Sequence, residues 1–377
     1  MSIEIVSITR DNLKLVAKGA AKFGMPRSER WLERCLYDPT VADLVDSNIR
    51  GHMAVSDDGE VVAIQCYFYM PGYFKQKKFL INSACIMGAD AKYGEYLICC
   101  LDQNKLSTQQ GQLRVSNCIA SPKSAKFAKV YSRMKEGSDE GKWLYMSVVD
   151  CAEPICWVLK KAGLAYNWLF YGIWLLSGPL SWVVNIFRFA GKKSKVFDIK
   201  EYKSIDQEKF GRFWTAFLAG NKGVITSRDP KRLAWLFNES MSAGFVKVLS
   251  AEKDGEIVGY VLLRRYPCAK GPLSEYAIYD ICALKNDIQC LRFLMIEALR
   301  YASTHRGSRL MYIGALPLQK EWVKTVSWHR CIKNKYSPFF YKTSDSEIAA
   351  SLKKEDGWFF GAFDGEKCLG HGRYIDA

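Results

Sequence analysis

Histidine is scarce in this sequence. There are four in 377 residues (His52, His305, His329 and His371), dispersed and without a neighbouring Asp or Ser pattern. Such placement offers neither a nucleophilic triad nor an imidazole-based metal site. No Cys-x-x-Cys pair occurs. The thirteen cysteines are odd in number and scattered singly apart from Cys99-Cys100, and Cys66, Cys85 and Cys282 lie inside apolar runs, as small hydrophobes do. This argues against a disulfide framework or a structural zinc, and for a reducing compartment. Low-complexity stretches are missing, as is an apolar h-region behind the charged start MSIEIVSITRDNLKLVAKG. The expectation is a cytoplasmic protein with no secretory signal. Negative charge is the scarcer sign: 39 Asp plus Glu stand against 54 Lys plus Arg, a net +15.

What is present is globular. Apolar residues make up 49% and charged residues 25%, and the length suits two domains at about 150 residues each. The positive surplus therefore sits on folded surface. It favours anionic partners: a phosphate-bearing cofactor, nucleic acid, or an acidic membrane face.

One stretch stands apart. From Ala162 to Phe187 the chain carries no charge, and Arg188, Lys192, Lys193 and Lys195 follow it. The length suits a membrane span. However, Gly163, Asn167, Gly172, Gly178-Pro179 and Asn185 interrupt it, and Trp168, Trp174 and Trp182 are spread along it rather than kept at its ends. The expected reading is a buried strand, a turn at Ser177-Gly178-Pro179, and a short interdomain helix. The alternative is an in-plane anchor over residues 162–195, peripheral to the inner face of a membrane, with its lysines on anionic lipid.

An internal repeat organises the rest. Residues 53–67 read MAVSDDGEVVAIQCY and residues 249–263 read LSAEKDGEIVGYVLL. Each is strand, Asp-Gly turn, strand, with Asp58-Gly59 and Asp254-Gly255 as hairpin turns. Amphipathic helices are expected ahead of the first copy (Asn12–Phe23, Ser28–Tyr37) and of the second (Asp206–Ala219, Asp229–Glu239). A strand and a helix then follow each: Lys78–Met87 and Glu95–Leu106, then Ser274–Leu284 and Asp287–His305. Later elements are a strand at Arg309–Ala315, a helix at Gln319–His329, and strands near Ser337–Lys342 and Trp358. Each half reads βααβββαβαβ, a mixed α/β (α+β) pattern. The boundary is expected in Ala190–Lys195, giving domains 1–189 (including the apolar segment 162–187) and 196–377.

This order of elements, used twice, resembles the GNAT acyltransferase fold. Thr226–Phe237 (TSRDPKRLAWLF) is similar to the Arg-Asp…Leu-x-Trp motif of tandem GNAT proteins associated with polysaccharide and lipopolysaccharide assembly. Tyr279–Leu284 is similar to that group's Asp-bearing fourth strand, and Trp358–Glu366 to its closing Trp…Asp-Gly motif.

The resemblance implies acetyl-CoA or another acyl-CoA as co-substrate, without a metal. Its pyrophosphate would lie on backbone N–H groups where a strand enters a helix. In the first half that junction is Met87, Gly88, Ala89, Lys92, Gly94, Glu95 and Tyr96. The family pattern of Arg or Gln, two residues, Gly, one residue, Gly or Ala is met here only by Lys92 and Gly94, one residue short. In the second half the junction Ala283–Cys290 has no glycine, and Asp287 reads as a helix cap competing with phosphate for the same donors. The cofactor is therefore expected in the first half, with the second as a substrate-shaping or structural copy. Tyr131 falls where the family's thiolate-protonating tyrosine could lie. Asp280, a carboxylate inside an apolar strand, is a general base or a structural acceptor. The basic run Lys123, Lys126, Lys129, Arg133 could meet phosphate oxygens or form a solvated face.

The implied function is acyl-CoA-dependent N-acyltransfer, foremost N-acetyltransfer, to an amino sugar or a lipid-linked glycan precursor. Two alternatives stay open. One is a Fem-type transferase taking aminoacyl-tRNA, the only reading in which nucleic acid is a partner. The other is a degenerate binding or scaffold module. Oligomeric state is left open.

Overall fold

The computed structural model describes residues 2–45, 47–106, 113–117, 135–136, 143–149, 196–267, 274–305, 307–314, 330–333, 339–354 and 358–359, with scattered positions between 159 and 185. These residues build two mixed sheets in two compact units. The first unit comprises residues 1–140, 222–236 and 335–377, and the second 141–221 and 237–334.

In the first unit, β1 (Ile3–Ser7) leads to helices α1 (Leu13–Lys22) and α2 (Glu29–Leu36), the latter capped by Ser28, whose hydroxyl accepts from Trp31 N at 3.1 Å. Strands β2 (Gly51–Ser56), β3 (Val61–Phe74) and β4 (Lys77–Ala89) follow, then α3 (Gly94–Leu106), β5 (Leu113–Asn117) and β6 (Lys135–Glu136). α3 covers one face, placing Cys100 against Ala54, Val62 and Ala63. α1 lies against β3 so closely that a Cβ on Gly19 would stand 2.8 Å from Val61.

The second unit starts with β7 (Trp143–Val148) and β8 (Asp198–Tyr202), then α4 (Gln207–Gly220). Between them and the rest lie β9 (Val224–Thr226) and α5 (Pro230–Ser242). Next come β10 (Val246–Lys253), β11 (Glu256–Pro267), β12 (Ser274–Ala283), α6 (Ile288–Thr304), β13 (Gly307–Gly314) and β14 (Arg330–Lys333). The last elements, β15 (Phe339–Lys342), α7 (Ser346–Leu352) and β16 (Trp358–Phe359), belong to the first unit. α6 buries Leu294, Met295 and Ala298 on Val261, Leu263 and Ile278. From α4, Phe210 and Phe213 pack on Tyr260 of the opposite face.

The expected hairpins are present, with different turns. Asp254 (φ 53°) and Gly255 (φ 82°) both lie in the left-handed region, giving the two-residue turn that the strand twist prefers. Only Gly59 (φ 77°) does so in the first copy, whose loop is longer.

The strand orders are β1-β2-β3-β4-β5-β15-β6 and β8-β10-β11-β12-β13-β7-β14. They match slot for slot, except that β15 from late in the chain sits beside β5, and β7 from the first half sits beside β13. Tyr341 pairs with Val115, and Tyr312 with Tyr145. β9 also joins the first sheet, on β3 at Gly72–Tyr73. The two sheets therefore interleave along the sequence.

The apolar segment differs in part from its expected reading. Its described positions 172, 173 and 177 are helical, where a strand and turn had been expected, and positions 181, 183 and 185 are helical, where the short helix had been expected. A run apolar at almost every position carries no period, so it cannot separate a buried strand from a buried helix. Ser177 and Ser181 are buried and Asn185 Nδ2 donates to Val149 O at 3.2 Å. Among the described residues no helix is long and apolar enough to cross a membrane. The expected helix 319–329 lies outside the described residues.

Candidate functional site

The first sheet contains a parallel pair, β4 with β5, joined only at Ile81–Leu113, Asn82–Arg114 and Ser83–Val115. Beyond that point β4 continues along β3 while β5 continues along β15, so the two strands part company. β4 bulges at the same place: Cys66 pairs with Ile86 but Tyr67 with Ala84, leaving Cys85 as the extra residue. The bulge leaves one residue outside the ladder at the point where the parallel pairing ends. Cys85 is buried with Cys35 and Cys66. Burial raises its thiol pKa, but hydrogen bonds from Cys35 and Cys66, with Arg27 nearby, bring it well below the ordinary value.

The junction residues lie at the end of β4. Met87, Gly88 and Ala89 are its last residues, half-buried, and Gly88 faces α1, where a Cβ would meet Phe23 at 2.7 Å. A short 3₁₀ turn, Ala91–Tyr93, runs into α3 at Gly94. Lys92 is exposed, its ammonium 4.7 Å from the Tyr93 ring centre. Glu95 is exposed and Tyr96 half-buried on the α3 core. No side chain caps this turn: the carboxylate of Asp90 binds Lys22 Nζ at 2.9 Å instead. A Cβ at Gly94 would meet nothing within 4 Å. With no capping side chain, the first N–H groups of this turn suit a phosphate.

The second unit repeats the strand geometry and closes the helix. β12 bulges at Tyr279, since Leu262 pairs with Asp280 and Leu263 with Ile278, and its parallel pairing with β13 ends at Ile278–Tyr312. Asp287 caps α6, accepting from Gln289 N at 2.8 Å and Cys290 N at 3.2 Å. Asp280 is 3% exposed and accepts from Tyr260 Oη at 2.5 Å and from Cys282 Sγ at 3.8 Å. Tyr131 and the Lys123–Arg133 run lie outside the described residues.

Two further groups in the first unit were not apparent in the sequence. One is a buried polar cluster beside the parallel pair. Tyr67 Oη accepts from Arg114 Nη2 at 3.0 Å and from Gln65 Nε2 at 3.3 Å. Asn82, 1% exposed, has no hydrogen-bond partner among the described residues at either carboxamide atom. It lies three residues before Cys85, about 10 Å along the strand. Polar residues inside a strand that reads as apolar were the only available signal.

The other is a polar cavity of about 440 Å³ at the opposite end of β4, lined by Tyr73, Lys78, Asp43, Ser227, Asp229 and Lys231 among others. Lys78 Nζ binds the Asp43 carboxylate at 2.7 Å, which lowers the Asp43 pKa. Burial raises the Tyr73 pKa, and Asp229 and Asp43 add to the effect. Asp229 takes Lys231 N on Oδ1 at 2.8 Å and forms no ion pair with the described residues, so a carboxylate oxygen is available to the cavity. The neighbouring Arg232 binds Asp38 at 3.0 Å, both fully buried, and Trp235 Nε1 donates to Arg34 O. Most of the Arg-Asp…Leu-x-Trp motif thus fastens β9 and the start of α5 to the first unit, while Asp229 faces the cavity. Among the described residues no group of three or more His, Cys, Asp or Glu side chains could hold a metal.

No protein-family model matches the sequence, and no curated protein does. Solved structures do. A GCN5-related N-acetyltransferase from Kribbella flavida superposes with a TM-score of 0.55 at 11% identity, covering 93% of this chain and 74% of its own. A Saccharomyces cerevisiae N-myristoyltransferase with bound myristoyl-CoA gives 0.54 at 11% identity, with 90% and 80% covered. An Enterococcus faecalis protein described as a probable N-acyltransferase gives 0.54 at 10%, with 91% and 73% covered. The chain has the fold of the GNAT acyltransferases. At these identities the likeness is one of fold, and the chemistry rests on the residues.

Proposed function

We propose that this chain is an acyl-CoA-dependent N-acyltransferase, foremost an N-acetyltransferase, acting on an amino sugar or a lipid-linked glycan precursor. The observation that carries the reading is the end of the β4–β5 parallel pairing at a β4 bulge, followed by a helical turn that no side chain caps. Acyl-CoA would lie with its phosphates on the N–H groups of residues 91 and 92 and the Lys92 ammonium, and its thioester at the bulge. Backbone donors there would stabilise the oxyanion as the amine adds to the carbonyl.

Asn82, about 10 Å along β4 from the bulge, would hold the body of the acceptor through its carboxamide. Tyr131 is proposed to protonate the departing thiolate. Asp280, held by Tyr260 and Cys282, would serve as a structural acceptor in its own unit. The acceptor's remote end would use the polar cavity, where Asp229 suits an ammonium or a pair of hydroxyls. The β4 residue lining the cavity is Lys78, about 23 Å along the strand from Cys85. The acceptor must therefore be extended, as a glycan precursor is. Peripheral membrane contact through 162–195 belongs to this reading, because it would bring a lipid-linked acceptor within reach.

Calorimetric titration of the full chain with acetyl-CoA tests the proposal. Saturable heat and a rise in melting temperature are expected. Absence of both at millimolar ligand, with longer acyl-CoA chains equally silent, would overturn it.

A further inference from the structure

We propose that the second unit binds a small carboxylate, gripped side-on by Arg264 where β12 and β13 separate. Arg264 lies on β11 opposite Ala277 and is 1% exposed. Its Nε and Nη2 are sealed from solvent, and neither has a hydrogen-bond acceptor among the described residues. These two nitrogens carry the parallel N–H bonds of one guanidinium edge, the edge that engages both oxygens of a carboxylate at once. Buried polar groups in native proteins are almost always paired, and an uncompensated buried charge is strongly destabilising. A water or a hydroxyl would supply an acceptor without charge. A carboxylate supplies two coplanar acceptors and the neutralising charge together.

The surroundings agree. The guanidinium carbon lies 5.8 Å from the Tyr266 ring centre and 5.7 Å from that of Tyr279, and the two hydroxyls hydrogen-bond to each other. Tyr279 is the bulge residue, and the parallel pairing ends one residue before it. A ligand entering through that gap would have to displace the side chains that seal the two nitrogens. Asp280, adjacent in sequence, is turned to Tyr260 and Cys282 rather than to Arg264. The place that in the first unit is lined by thiols and open amides is here lined by a cation and two phenols, which suits an anion rather than a thioester. The inference stands on Arg264 and is independent of acyl-CoA binding.

The test uses the full chain with sodium acetate and sodium succinate as probes, against sodium chloride and sodium phosphate at matched ionic strength. It is read by thermal melting and calorimetric titration. The unaltered protein is expected to gain about 2 °C or more in carboxylate over chloride. Arg264→Met should melt at or above the unaltered protein in chloride, because it removes an unpaired buried charge while keeping the volume, and should lose the carboxylate response. Arg264→Lys keeps the charge without the fork and should bind the probes at least about tenfold more weakly.

No carboxylate-specific shift in the unaltered protein, with Arg264→Met melting below it, would overturn the proposal and leave Arg264 a structural cation. An equal response to phosphate would overturn the assignment to a carboxylate. Should Arg264→Met fail to fold, the titrations of the unaltered protein and of Arg264→Lys decide, since undiminished binding by the lysine variant also defeats the proposal.

Discussion

Arg232 and Asp38 are fully buried and bonded at 3.0 Å, and Arg232 Nη1 also donates to Ser227 O at 2.7 Å. Removing one partner strands the other charge. Asp38→Ala should therefore cost about 3–5 kcal/mol in urea unfolding, whereas the double change Asp38→Leu, Arg232→Met should recover most of it. A second residue-scale expectation concerns pH. Burial acts to raise the Glu252 pKa, but the Tyr202 hydroxyl at 2.5 Å, Lys209 and Lys200 outweigh it and hold the pKa below the ordinary 4.5. The ionised form is thus favoured in the folded state. Its stabilisation is fully present above the ordinary value and fades as pH falls through the lower folded one. Tyr202→Phe should narrow this protection, seen as a smaller melting-temperature gap from the unaltered protein at acid pH than at neutral pH. At this scale the sequence showed which residues were unusual: Asp280 in an apolar strand and the Arg228-Asp229 pair. It did not show their partners, because Asp38 and Arg232 are far apart in the chain and meet only through folding.

The elements were the most legible level. Hydrophobic period and capping residues place α1 and α4 within a residue or two of expectation, and the Asp-Gly turns lie where the repeat puts them. The contrast between α3 and α6 was also legible. Asp287 fills the donors of α6, whereas Asp90 leaves those of α3 open. Lys92→Ala should raise the KM for acyl-CoA severalfold with little change in kcat, measured by steady-state kinetics. Asp287→Ala should leave that KM unchanged and cost about 1 kcal/mol of stability. Gly88→Ala would drive a methyl group to 2.7 Å from Phe23 and should cost about 1–3 kcal/mol in the same unfolding assay. The strand-like reading of the apolar segment failed for an opposite reason: uniform apolarity gives no period from which to read an element.

For the whole molecule, the decisive feature is the exchange of β7 and β15. Each fills the slot beside the fifth strand of the other half's sheet. Residues 1–189 alone would lack β9, β15 and β16 in the first sheet and leave β7 unpaired. Each half expressed by itself should therefore be insoluble or poorly folded by circular dichroism, while co-expression of 1–189 with 196–377 should restore a folded complex. What the sequence alone determined was the set of elements, their duplication and the family of folds they suit, because period, turn chemistry and caps are local. The tertiary structure decided which strand completes which sheet, where Asn82, Asp229 and Arg264 come to lie, and which polar atoms are left without partners. These depend on contacts between residues distant in the chain, and no local pattern encodes them.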